Sequence, residues 1–260
     1  MAEQKVYPNF SVDNNPKPNR LLAFPILGLV IKLILLIPVF IEAIFVGLFA
    51  IYCILFINWF VILFTGKYWT FAYTLFLNLM RFCGKITLYI YGITDTYPGF
   101  ALNTKGLFAL TIDKPENPNR WFAIPFLGIF ARLILLIPYI IFSDVLQRGS
   151  GVAMFLSWFV VLFKGRLPES LYEFEKDSIR VSFSATAYML GLSDKYPSFA
   201  MSMNHQTAKI LLIIAGALLL WGHGDNNGTQ TTQQNSPTHR YQYRQDYTPR
   251  AQNPMNYKTY

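Results

Sequence analysis

Ionisable residues are scarce in this chain, and two of them interrupt apolar runs. Lys32 lies within LGLVIKLILLIP and Arg132 within LGIFARLILLIP, one hundred positions later. A charge so placed costs about 2.5–3.5 kcal/mol on insertion scales and marks a site by default. The pair suits lipid phosphate, or pairing with Glu42 and Asp144 near the opposite surface; the alternative is that both side chains snorkel. Phe142 replaces Glu42 in the second run, so a shared acidic relay is not expected. Asp95 and Asp194 recur in YGITDTYPGF and LGLSDKYPSF. Joined as a cation site, they would supply two carboxylates and the hydroxyls of Thr94, Thr96 and Ser193, where a hard cation wants six or more oxygens. Turn chemistry is the stronger expectation. Gly92 and Gly191 take the left-handed helix stop, and Asp95 and Asp194 bond neighbouring amides. Pro98 and Pro197 then force an extended exit at Tyr97 and Tyr196, whose rings anchor the turn at headgroup level. His205, His223 and His239 have no metal-ligand spacing, and no GxSxG, P-loop or GxGxxG occurs. Cys53 and Cys83 form no framework. No enzyme, cofactor or metal is expected.

The elements that must position these residues are membrane helices. The 260 residues are 53% hydrophobic and 14% charged, with a mean hydropathy of +0.32, whereas soluble chains carry about 25% charged residues. Leu33–Ile41, Ala43–Ile57 and Trp59–Phe64 form an almost unbroken apolar run, and shorter runs cover 133–142, 152–163 and 210–221. The first twenty residues are polar, so a cleaved signal peptide is not expected and the first apolar segment should act as a signal anchor.

The chain also repeats itself. PNRLLAFPILGLVIKLILLIP and PNRWFAIPFLGIFARLILLIP share 13 of 21 positions at an offset of 100, and NWFVILFTGKY matches SWFVVLFKGRL at 99. This divides the chain into a polar segment 1–17, repeat 18–103, linker 104–117, repeat 118–202, a short hydrophobic helix 203–222 and a disordered polar tail 223–260. The expected fold is an all-α membrane protein. Each repeat is a transmembrane hairpin, with helices starting after Arg20 or Arg120 and running over about 43–64 or 151–163. An interfacial amphipathic helix follows at about 69–91 or 169–190. LYEFEKDSIRVSFSATAYML is too charged to span hydrocarbon and suits the interface plane. Lys67, Arg81, Lys85, Lys164, Arg166 and Arg180 then line one face. Both repeats point the same way, and the basic face is cytoplasmic by the positive-inside rule, opposite anionic headgroups. In the tail, Arg240, Arg244, Arg250 and Lys258 alternate with tyrosines, a pattern more in keeping with a solvated tail than with nucleic-acid contact.

NR at the start of each repeat, WFVILFTGKY in its middle and YGITDTYPGF at its end together resemble a bacterial membrane family known only as a domain of unknown function. Its usual pattern is FTGRYP, an Arg-bearing helix, then YLLGLTDRYPPF; here KYW and RLP follow the first glycine. The resemblance implies a bacterial inner-membrane location and no established activity. The expected role is a non-enzymatic scaffold or accessory subunit of a bacterial inner-membrane complex, with other membrane proteins or a second copy as partners. The alternative is a small transporter or anionic-lipid-binding protein using Lys32 and Arg132.

Overall fold

The computed structural model describes residues 8–12, 18–20, 22–102 and 108–226. Most of the polar segment, part of the linker and the tail from 227, with its basic–tyrosine pattern, lie outside the described residues. The contacts below belong to one compact unit, 1–223; of the second unit, 224–260, only the last helical residues, 224–226, are described.

Both long apolar segments start in the same unusual way. Ile26 and Phe126 adopt φ 63°, ψ −58° and φ 64°, ψ −54°, and the amides of Leu27 and Leu127 donate to the carbonyls of Pro25 and Pro125 at 2.7 Å. These are γ-turns with positive φ, a rare and strained form, on a β-branched and an aromatic residue. Surroundings that tolerate such strain twice must fix the chain direction firmly at both places.

From these turns the chain runs as long helical rods. The first comprises α1 (Leu27–Phe49), a π-helical turn (Ala50–Leu55) and α2 (Phe56–Thr65). The second is α4 (Leu127–Lys164), unbroken over 38 residues. Each ends on a left-handed glycine, Gly66 or Gly165. The chain reversals expected before the second helices at about 43 and 151 are absent, since the helices continue through both places, which corrects the hairpins. At 1.5 Å per residue each rod measures about 57 Å, well beyond a bilayer core of about 30 Å. The second turn is absent for a visible reason. Asp144 and Arg148 pair at 3.0 Å one helical turn apart, and Gly149 packs against the backbone of Leu212 instead of bending the chain.

α3 (Thr70–Tyr91) and α5 (Glu169–Met189) follow the two rods, and α6 (Gln206–Asn226) closes the described chain. The fold is not purely helical. β1 (Asn9–Val12) and β2 (Phe108–Thr111) pair antiparallel, Asn9 opposite Thr111 and Val12 opposite Phe108. The expected linker and N-terminal segment thus meet as a small sheet. Its inward residues, Phe108 and Leu110, are buried, and Arg81 of α3 holds the Leu110 carbonyl at 2.9–3.0 Å.

Burial inverts the pattern of a water-soluble domain. α5, the most charged helix, turns most of its polar residues inward, with Glu175, Asp177, Ser178, Arg180 and Ser184 buried, while Glu169 and Thr186 are exposed and Glu173, Lys176 and Ser182 half-buried along one stripe. The charges of α5 are thus divided, Glu175, Asp177 and Arg180 inside and Glu169, Glu173 and Lys176 toward the surface. The rods show the reverse: their most apolar windows are only 17% and 22% buried, leaving Phe45, Phe64, Phe130 and Phe163, among others, exposed. Two helices are thus long and apolar enough to cross a membrane. A helix apolar all round and left uncovered belongs in lipid, since water would expose far more than the few hundred Å² of apolar patch usual for a soluble protein.

Candidate functional site

Lys32 and Arg132 face inward from exposed apolar helices and are 2% and 5% exposed. Arg132 Nη2 donates to Asp194 Oδ1 at 2.6 Å, and Nη1 donates to the carbonyls of Tyr188 and Ser193. The guanidinium lies 4.8 Å from the Phe122 ring centre and 5.0 Å from that of Tyr188. A planar, weakly hydrated cation tolerates this sandwich better than an ammonium does. Lys32 Nζ sits 5.4 Å from the Tyr89 ring centre and faces the carboxylates of Asp95 and Glu175. Neither Glu42 nor Asp144 serves as the partner: Asp144 pairs with Arg148, and Glu42 Oε2 has no protein partner.

Each motif aspartate does more than close its own turn. The short-range bonds belong to Thr94, which accepts from Thr96 N at 3.2 Å, and to Ser193, which accepts from Lys195 N at 3.2 Å. Asp95 instead accepts from Asn19 N at 2.6 Å, and Asp194 from Asn119 N at 3.1 Å. Each aspartate thus ties the NR segment of its repeat to the end of that repeat's last helix. Gly92 and Gly191 close those helices with paired bonds, Ile93 N to Leu88 O with Gly92 N to Tyr89 O, and Leu192 N to Ala187 O with Gly191 N to Tyr188 O. Tyr97 donates to the Leu35 carbonyl at 3.1 Å, one turn before Pro38, and Tyr196 packs on Tyr139, Tyr188 and Phe199. Pro98 and Pro197 are buried.

The arginines beside Asn19 and Asn119 reach the ends of the rods, Arg20 that of α4 and Arg120 that of α2. A Cβ on Gly66 would lie 2.6 Å from an Arg120 guanidinium nitrogen, and one on Gly165 would lie 2.7 Å from Arg20. Two clefts follow the same exchange. One is lined by Asn58, Trp59 and Ile62 with Asn119, Arg132 and Gly191; the other by Ser157, Trp158 and Val161 with Asn19, Lys32 and Gly92. Their free volumes, about 20 and 10 Å³, admit about one water each. Gly66→Ala and Gly165→Ala should each cost about 1–2 kcal/mol for the left-handed backbone alone, plus a displaced arginine. Gly47→Ala, in open space within α1, should gain about 0.5–1 kcal/mol. Unfolding in detergent compares the three.

Of the basic residues expected at an interface, Lys67, Lys164 and Arg166 are exposed near the rod ends. Arg81 holds β2, and Lys85 donates to the carbonyls of Pro98 and Ala101 at 3.4 and 3.1 Å. Arg180 is buried, pairing with Asp177 at 3.2 Å and donating to Ala200 O at 2.7 Å.

A polar seam between α4 and α5 was not among the expected sites. Glu175 is fully buried. Its Oε1 accepts from Ser157 at 3.0 Å, while Oε2 and the hydroxyls of Ser150 and Ser178 have no protein partner. Burial pushes the Glu175 carboxyl up to about 8, against opposing effects of Ser157 and Lys32. The signal was present in the sequence: at the offset of 99 residues position 175 corresponds to Phe76, a carboxyl where the earlier stretch carries hydrocarbon. Among the described residues no cluster of three His, Cys, Asp or Glu is placed to hold a metal ion.

No curated protein and no solved structure matches the chain. A family model does match residues 127–201, so α4, α5 and the Asp194 turn form a DUF4389 domain, a domain of unknown function.

Proposed function

We propose that the protein is a non-enzymatic, multi-pass membrane protein of a bacterial inner membrane, acting as a scaffold or accessory subunit of a membrane complex. In this reading it consists of two copies of one unit that exchange their N-terminal arginines. The observation that carries it is where the charges go. Arg132 pairs with Asp194 and Arg180 with Asp177, and Asp95 bonds Asn19, while the apolar residues of the rods stay uncovered. Such a body suits packing among lipids and other membrane helices. It is less suited to holding a substrate, since the two clefts beside Lys32 and Arg132 admit little more than a water. Lys67 at the end of the first rod, and Lys164 and Arg166 at the end of the second, would face anionic headgroups where those ends meet a membrane surface.

Extraction in mild detergent tests the proposal. The full chain should run as a complex well above its own 29.9 kDa, with a stoichiometric membrane partner or a second copy. A clean monomer at native expression would count against it. Specific binding of anionic lipid lost on Lys32→Met or Arg132→Met, in a chain still folded, would favour the lipid-binding alternative.

A further inference from the structure

The second repeat builds its core differently from the first at one layer, and the difference is not demanded by the fold. Phe76 of α3 is fully buried hydrocarbon; Glu175, its counterpart on α5 ninety-nine positions later, is fully buried too. Ser178 likewise stands at the place of Leu79. The first repeat closes this layer with apolar packing, so the architecture can do without a carboxyl. Burying a carboxyl with one oxygen lacking a protein partner is costly. Two orphaned hydroxyls beside the same helix pair, Ser150 and Ser178, add to that cost.

The seam also has an entrance. Ser157, whose hydroxyl donates to Glu175 Oε1 at 3.0 Å, lines the water-sized cleft shared with Lys32, Tyr91 and Asp95. Asp95 is partly exposed, so the cleft runs from a partly exposed side chain to Ser157, one hydrogen bond from the Glu175 carboxylate. Beyond it, Tyr91 donates to Gln147 Oε1 at 3.1 Å, and Gln147 Nε2 donates to the Ser178 carbonyl at 3.3 Å. Buried polar groups of this kind are satisfied by internal water where space allows.

We propose that the seam is a proton-binding site in which Glu175 takes a proton on Oε2 from water entering through the Lys32–Asp95 cleft, while Ser157 holds Oε1 and internal water satisfies Ser150 and Ser178. The step is a plain transfer: hydronium gives its proton to the carboxylate, leaving water and a neutral carboxylic acid. The groups facing the site are few. α1 supplies Lys32, the turn after α3 supplies Asp95, α3 supplies Tyr91, and α4 supplies Ser157 and Gln147. Other nearby charges are engaged elsewhere, Asp144 with Arg148 and Asp177 with Arg180.

Burial favours the neutral form of Glu175, so the folded state holds the proton up to about pH 8, whereas an unfolded glutamate releases it near 4.3. Between these values the folded state binds more protons, so stability falls as pH rises through the window and levels off above it. Infrared titration of the full chain in nanodiscs, alongside unfolding at each pH, tests this. The wild type should show a protonated carboxyl at pH 7 that disappears with a midpoint near 8 and exchanges promptly in D₂O. Glu175→Gln should remove that band and flatten the fall in stability. Ser157→Ala should move the midpoint upward, because the serine bond favours the charged form; this variant decides the matter if Glu175→Gln does not fold. A wild type without a protonated carboxyl at pH 7, a band that survives Glu175→Gln, a midpoint unmoved by Ser157→Ala, or exchange only on global unfolding would overturn the proposal.

Discussion

Asp194→Asn should destabilise the folded chain by about 3 kcal/mol, because it leaves the Arg132 guanidinium buried without its counter-charge. Removing one partner of a buried pair typically costs about 3–5 kcal/mol. The lower end applies because the Asp194 side chain is 24% exposed and water reaches it, while that of Arg132 is only 6% exposed. Two further bonds from Arg132, to the Tyr188 and Ser193 carbonyls, survive the substitution and hold the guanidinium where it is. They do not neutralise it. The same change also weakens the acceptor for Asn119 N, loosening the arm that carries Arg120 to Gly66. The double variant Arg132→Met/Asp194→Asn should recover most of the loss, since a buried pair can often be replaced by apolar groups at little net cost. Denaturant unfolding of wild type, both single variants and the double variant in one detergent gives the coupling energy. A single-variant loss below about 1 kcal/mol, or a double variant no better than the worse single one, would show that the pair does not hold this junction.

That junction shows how far the residues alone carry the fold. The periodicity of 100 and 99 residues, the charge at Lys32 and Arg132 and the glycine-led turn at Gly92 and Gly191 are all visible as strings. Local chemistry suffices to expect helix stops and apolar helices there. The destination of each charge is not visible, because it depends on contacts 60 to 76 residues away: Arg132 to Asp194, Asn19 to Asp95. Hydropathy places α5 at the interface, as it would any helix with six charges in its first twelve residues. It does not show that the apolar rods face outward while Glu175, Asp177 and Arg180 of α5 turn inward. Buried charges of this kind are satisfied by neighbours distant in sequence, so an apolar–polar pattern along one helix does not say which of them turn inward. The sheet was hidden for a different reason. β1 and β2 are four residues each, too short for an alternating pattern to stand out from a polar arm and a linker.

The Gly149–Ser150–Gly151 stretch presents the clearest conflict between local and tertiary readings, and it sets the second large prediction. As a string it reads as a turn; in the structure it is the point where α6 crosses α4. A Cβ on Gly216 would lie 2.1 Å from the Val145 carbonyl oxygen and 2.8 Å from Gly149 N, and one on Gly149 would lie 2.5 Å from the Leu212 carbonyl oxygen. Both clashes are with backbone, which no rotamer change can relieve. Small residues at such a crossing let two helices approach closely, and in lipid that contact replaces the hydrophobic drive absent between apolar helices. Gly216→Val should therefore displace α6, at a cost of about 3 kcal/mol, the upper part of the usual range for overpacking. Gly149→Val should do the same from the other side. Gly151 and Gly222 lie in the same two helices with nothing within 4 Å of a Cβ. Gly151→Ala should instead gain up to about 1 kcal/mol in helix propensity, and Gly222→Ala should do no harm. Proteolysis within 201–205, the segment joining α5 to α6, reads the difference directly: cleavage should rise sharply in the two valine variants and stay at the wild-type rate in the two alanine variants. Equal rates in all four would mean that α6 is held by its apolar surface alone and that the crossing is incidental to the fold.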